Sequence, residues 1–248
     1  LASFSTTALG QDQILPRVGE LASEVRAALG EGLASIEASE QMLAKVTTPS
    51  LEALRLFSQA DQAMVGVERN RALPILEQAV RIDPDFASAH LLLWYALKDR
   101  DEVARAEQHL QRAVELAEQA SERERLFILA SYYGGYLQDQ PKSIDTLHLL
   151  LRLYPDHFWA SGNLGSYYES LGRFDLAFPL RKRGADLRPH WDYAQYEATL
   201  LAIVNGDTAA RDRYAERAMA LVENNPWLQA KLRFLRFHED WVNGEYAG

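Results

Sequence analysis

The chain has 248 residues, 48% of them hydrophobic and 25% charged, with a net charge of -9 at pH 7. These values exclude disorder by composition, and the negative charge argues against broad contact with phosphate backbones, which needs a basic face. There is no cysteine, so disulfides, thiolate catalysis and zinc–thiolate sites are excluded.

The first 47 residues differ from the rest. "LASFSTTALG" has no basic stretch followed by an apolar one, so it is no signal peptide, and it lacks a starting Met. The expectation is a piece of a longer protein that extends beyond both ends. "LASFSTTA" reads as a short strand. "GQDQILPRVGELASEVRAALGE" reads as an amphipathic helix, with Ile14, Val18, Leu21, Val25 and Leu29 on one stripe. Residues 1–47 are therefore expected to close a preceding module, and residues 48–248 to form a separate array. No apolar run approaches the roughly 18 residues that span a bilayer, so no membrane insertion is expected. A cysteine-free chain suits the cytosol and the periplasm equally, which leaves the compartment open.

From Thr48 onward the chain repeats itself. Ala72, Leu76, Ala79 and Pro84 set a pattern of small, large, small and proline. It returns at Ala177, Arg181, Gly184 and Pro189, and more weakly at Ser143, Leu147, Leu150 and Pro155. Ala106, Leu110 and Ala113 give another copy, with Glu118 in place of the proline. Pro155 and Pro189 are 34 residues apart, as are Pro84 and Glu118, and three extra residues fit at Ser121–Arg123. Each triplet has helical spacing: small residues let two helices approach, the large one fills the adjacent hole, and proline ends the helix. Helix starts agree, with a capping box at Ser121-Glu122-Arg123-Glu124, Thr48 capping ahead of Pro49, and Asp85 and Asp156 placed to cap.

"NLGSYYESLGRFDLA" supplies Leu164, Gly165, Tyr168 and Ala177, with Gly172 at the turn. This is the pattern of a tetratricopeptide (TPR) unit. The chain resembles the TPR family, which implies an all-α, right-handed superhelical solenoid of stacked antiparallel helix pairs. Four units fall between about Thr48 and His190, a degenerate fifth runs from Trp191 to Pro226, and a truncated sixth starts at Trp227. Leu228, Leu232, Leu235 and Trp241 of that last helix are expected to lack a neighbour. Ser3–Thr7, Leu21–Glu31, Thr47–Leu54, "RIDPDFASAH" and "SERERLFILASYY" further resemble the C-terminal TPR regions of bacterial serine/threonine protein kinases and winged-helix transcription regulators. No kinase motif is present, since Gly-rich loop, H-R-D and D-F-G are all missing.

The residues offer no catalytic constellation, metal site or cofactor motif. His90, His109, His148, His157, His190 and His238 lack metal-ligand spacing. His90 reads as a packing histidine, and His157 and His190 as loop residues. Arg181, Lys182, Arg183 and Arg188 read as a solvated basic face. Gly134-Gly135 reads as a turn or a close helix contact rather than a phosphate loop.

The expected function is a protein–protein interaction module with a protein or peptide partner. The rivals are a structural spacer, a homodimerising element, and an enzyme on a helical scaffold, which would need a clustered site. Aligned by the repeat, the first helices place Phe57, Leu91, Ile128, Gly162 and Tyr196 in one column. Asp61, Tyr95, Tyr132, Ser166 and Leu200 form the next, and Leu54, Ser88, Arg125, Trp159 and Tyr193 flank them. The resemblance implies that these columns face the concave side. The Lys/Asn/Arg clamp for a terminal carboxylate is not repeated, and the face is aromatic instead. Phe57, Leu91, Tyr95, Ile128, Tyr132, Trp159, Tyr193 and Tyr196 are the expected contacts for an apolar peptide.

Overall fold

A computed structural model describes residues 48–64, 69–98, 100, 102–222 and 226–243, together with 5–10 and scattered positions between 13 and 25. Eleven helices occur among the described residues. Four pairs of chain neighbours pack together: α1 (Leu51–Met64) with α2 (Ala72–Ile82), α3 (Ala87–Lys98) with α4 (Val103–Leu116), α7 (Phe158–Ser170) with α8 (Phe174–Leu187), and α9 (Asp192–Val204) with α10 (Thr208–Leu221), while α5 (Glu122–Gly135) and α6 (Gln140–Leu153) lie between the second and third pairs in the chain. A last helix, α11 (Pro226–Asn243), follows. No strand occurs among the described residues, Ser5–Thr7 of the expected strand included, and the fold class is all-α. Ile14, Val18, Leu21 and Val25 of the expected N-terminal stripe are helical, whereas Leu29, the side chain of Trp241 and the terminal "GEYAG" lie outside the described residues.

The chain forms two compact units, whose boundary falls inside α6, between Thr146 and Leu147. In the first, α1 packs on α2, α2 on α3, α3 on α4 and α4 on α5. In the second, α7 packs on α8, α8 on α9, α9 on α10, and α11 on both α9 and α10.

The small–large–small triplets are what hold each pair together. Ala72, Leu76 and Ala79 are fully buried, and so are Leu110, Ala113, Leu150 and Ala177. Ala79 meets Ala53, Leu56, Phe86 and Ala89, small residues allowing the close approach and large ones filling the gaps. In the degenerate fifth repeat, Ala210, Tyr214 and Ala218 take these places, and the fully buried Tyr214 donates from its hydroxyl to Asp186 Oδ2 at 3.1 Å. Gly135 is a close helix contact, because a Cβ there would lie 2.4 Å from the Trp94 ring.

The turns repeat as strictly as the packing. Gly172 (φ 69°) and Gly206 (φ 70°) end α7 and α9 in the left-handed region, 34 residues apart. Gln138 (φ 57°) stands another 34 residues earlier and does the same after α5. A side chain there costs about 1 kcal/mol that glycine avoids. The next N–H reaches back across the turn, from Asp139 to the Tyr133 carbonyl, from Arg173 to Tyr168 and from Asp207 to Ala202.

The caps correct three readings. Ser121 and Glu124 form the expected capping box. At α1, however, the cap is Ser50, whose Oγ accepts from the Ala53 N–H at 3.2 Å. Thr48 is buried and donates to Asp83 Oδ2 at 2.5 Å. At α7 the cap is His157 rather than Asp156, its Nδ1 accepting from the Ala160 N–H at 3.2 Å. His157 is therefore a buried helix cap and not a loop residue. Asp85 pairs with Arg112 at 2.5 Å. The terminal helix also has neighbours, since Leu228 and Leu232 are buried with Tyr196, Ala218 and Val222.

Between α3 and α4 two histidines meet. His90 Nε2 lies 3.0 Å from the Pro84 carbonyl, and a carbonyl only accepts, so that nitrogen carries the proton. His90 Nδ1 must then accept from His109 Nδ1–H at 2.9 Å. Burial holds both imidazoles below their ordinary value, His109 down to about 4, where the neighbouring His90 and Arg105 add to the effect and Glu77 opposes it. For His90 the Arg112 charge adds, while the Pro84 hydrogen bond, Asp83 and Asp85 oppose.

Two outcomes follow from this packing. Ala79→Leu should lower stability by about 1–3 kcal/mol through overpacking, read as a lower urea midpoint; an unchanged midpoint would contradict the packing register. The histidine pair sets a pH dependence. Unfolded histidines take up protons near 6.5 and the folded His109 only near 4, so the folded state binds fewer protons between those values. Stability should fall as pH drops from 7 to 5, and His109→Gln should flatten that slope. An equal slope in both proteins would remove the pair as its cause.

Candidate functional site

The second unit holds a cleft of about 290 Å³ between α7, α8 and α9. Each helix contributes a stripe at helical spacing. From α7 come Trp159, Gly162, Asn163 and Ser166, from α8 Arg181 and Gly184, and from α9 Tyr193 and Glu197, with Trp191 just before it.

Arg181 sits in the large slot of its triplet, where the other three copies have Leu76, Leu110 and Leu147, all buried. Its side chain is 11% exposed. A guanidinium that far from water needs partners on every side. Nε donates to Glu169 Oε1 at 2.6 Å, Nη1 meets Glu197 Oε2 at 2.9 Å, and Nη2 donates to Ser166 Oγ at 3.0 Å. The three charges tie α7, α8 and α9 together. Gly165 gives the arginine its space, since a Cβ there would lie 3.3 Å from Nε. Arg181 is therefore a largely covered ion-pair centre, not part of a solvated basic face. Arg188 departs from that reading too, its guanidinium lying 4.2 Å from the Phe158 ring and 5.5 Å from the Trp159 ring.

Glu197 feels burial most strongly, and that raises its proton affinity; Glu169 adds to the rise, while Arg181 and a hydrogen bond from Tyr193 oppose it. Tyr193 is pushed up to about 12, first by burial and then by the Glu197 charge. Around this polar floor stand the rings. The Trp159 and Trp191 centroids are 6.3 Å apart, and those of Trp191 and Tyr193 are 6.0 Å apart. Gly162 opens the wall, because a Cβ there would have nothing within 4 Å.

Of the eight residues expected to line one groove, Trp159 and Tyr193 line this cleft. Leu91, Ile128 and Tyr196 correct the expectation, for all three are buried. Leu91 and Ile128 are core residues of the first unit, and Tyr196 is buried with Ala218, Val222, Leu228 and Leu232. Phe57 is half-buried and packs against the first unit's core, its ring 4.9 Å from that of Phe86. Tyr95 stacks on Phe127 and donates to Ser131 Oγ at 3.0 Å, Ser131 in turn donating to the Phe127 carbonyl. Tyr132 stacks on Tyr136 at 5.4 Å. Sequence reasoning missed Trp191, Glu197 and the role of Arg181. The available signal was a charged residue in a slot that leucine fills elsewhere.

Among the described residues, no group of three His, Asp or Glu side chains is placed to hold a metal ion, and no helix is long and apolar enough to cross a membrane.

No family model and no curated protein matches the chain. Solved structures resemble it. PilW, a widely conserved type IV pilus biogenesis factor, is 19% identical over 80% of this chain and 96% of its own, with a TM-score of 0.47. MamA is 20% identical over 67% of this chain and 96% of its own, with a TM-score of 0.39. YrrB, a TPR protein with an unusual peptide-binding site, is 14% identical over 77% of this chain and 93% of its own, with a TM-score of 0.41. None of these reaches a TM-score of 0.5, so the fold assignment rests on the helix pairs themselves.

Proposed function

We propose that this chain is a protein-interaction module whose second unit holds a partner's peptide segment in the cleft above Arg181. Its setting would be a larger bacterial signalling protein of the kind the sequence resembles. One observation carries the reading. An arginine whose side chain is 11% exposed, paired with two carboxylates, occupies the slot that buried leucines fill in three other repeats. Leucine serves packing at least as well, because a buried ion pair is often no more stabilising than apolar residues of similar volume. The arginine and its two carboxylates therefore give this slot a polar floor under the cleft, where the other repeats have an apolar plug. The rings over it supply rigid contact area with polar tips, which suits peptide recognition. A second reading, self-association, rests on a hollow of about 480 Å³ where Ile203, Met219, Leu232 and Leu235 stand beside Arg211, Asp212 and Glu216, with Met219 38% exposed. Sedimentation equilibrium that stays monomeric at all concentrations would remove it.

Gly162 provides the test of the cleft. A side chain there meets no atom, and replacing a mid-helix glycine gains about 0.5–1 kcal/mol of helix stability. Gly162→Leu should therefore keep or raise the urea midpoint while filling the cleft. Peptides selected from a random library on the wild-type chain should lose about tenfold or more in affinity for Gly162→Leu and for Trp159→Ala. Undiminished affinity in both would place binding elsewhere.

A further inference from the structure

We propose that the cleft selects a basic side chain, lysine or arginine, from the bound peptide; this rests on the reading of the cleft as a peptide site. Two carboxylates, Glu169 and Glu197, share one guanidinium at 2.6 and 2.9 Å, so the cluster carries one negative charge in excess. Glu197 is the carboxylate that lines the cleft. A carboxylate has about four acceptor sites, and Arg181 and the Tyr193 hydroxyl each take one on Glu197. A cation entering beside it would balance the cluster.

The walls suit the same ligand. Trp159, Trp191 and Tyr193 line the cleft, and a cation within about 6 Å of an aromatic ring face is attracted by its quadrupole. The chain uses this chemistry on itself, with Arg188 over Phe158 and 5.5 Å from the Trp159 ring, which leaves Trp191 and Tyr193 as the cleft's rings without it among the described residues, and with Lys231 3.9 Å from the Trp227 ring. Arg188 is not among the residues lining the cleft. An acidic ligand group is disfavoured, because Arg181 already gives Nε, Nη1 and Nη2 to Glu169, Glu197 and Ser166. The net charge of -9 draws basic partners to the surface as a whole.

The test uses the whole chain and resin-bound random peptide libraries that differ only in a fixed central residue: lysine, arginine, norleucine or glutamate. Retention on the wild type is compared with that on Gly162→Leu, Glu197→Gln and Asp175→Asn. Asp175 is an exposed acid outside the cleft, so its variant carries the same loss of charge. Lysine or arginine libraries should be retained about five to ten times better than norleucine. Glu197→Gln should abolish that preference and Asp175→Asn should keep it, with thermal melts confirming that both fold. Equal retention of lysine and norleucine would overturn the inference while leaving the peptide site intact. A preference for glutamate would overturn it in favour of Arg181 as the reader. Equal loss of the preference in both charge variants would trace it to overall charge and overturn it too. No library held above Gly162→Leu would remove the peptide site itself.

Discussion

The fold depends on how closely the two helices of each pair approach, and small residues set that distance. Ala79, Ala113, Ala177 and Gly184 leave room for one large side chain per pair, and the slot so formed lies between three helices. Leucine fills it at positions 76, 110 and 147 and tyrosine at 214, each almost or fully without exposure. These slots, together with the left-handed turns at Gln138, Gly172 and Gly206, return every 34 residues or close to it and make one pair copy the next.

The cleft is what happens when one slot receives a charge. Arginine at 181 is too costly to bury alone. Gly165 makes space for it, Ser166 accepts a hydrogen bond, and carboxylates arrive from both neighbouring first helices. With Gly162 and Gly184 alongside, the helix surfaces above the arginine are lean, and the rings of Trp159, Trp191 and Tyr193 frame the gap instead of filling it. Fold and candidate site thus share one cause.

Much of the fold was legible because it is local and periodic. The triplets, the Ser121 capping box and Gly172 declare themselves in a single chain by spacing alone. The caps at Ser50 and His157 were less legible, since Thr48 and Asp156 are equally good capping types and only the backbone path decides between them. The site was harder still. Columns built from the period put Leu91, Ile128 and Tyr196 beside Trp159 and Tyr193, but whether a ring faces a neighbouring helix or open space depends on its rotamer and on what α10 and α11 cover. Glu197 was one carboxylate among 35 acidic residues, and nothing in its neighbours marks it as the partner of a residue 16 positions earlier.

The central claim is that the cleft over Arg181 is where a partner binds. The most direct measurement is the set of indole N–H resonances of the five tryptophans, followed by NMR while a library-selected peptide is added. Trp159→Phe and Trp191→Phe assign the two that matter. The account predicts that the signals of Trp159 and Trp191 move together with the added peptide, while that of the buried Trp94 stays in place. Movement confined to Trp227, with the two cleft indoles unchanged at saturation, would contradict it.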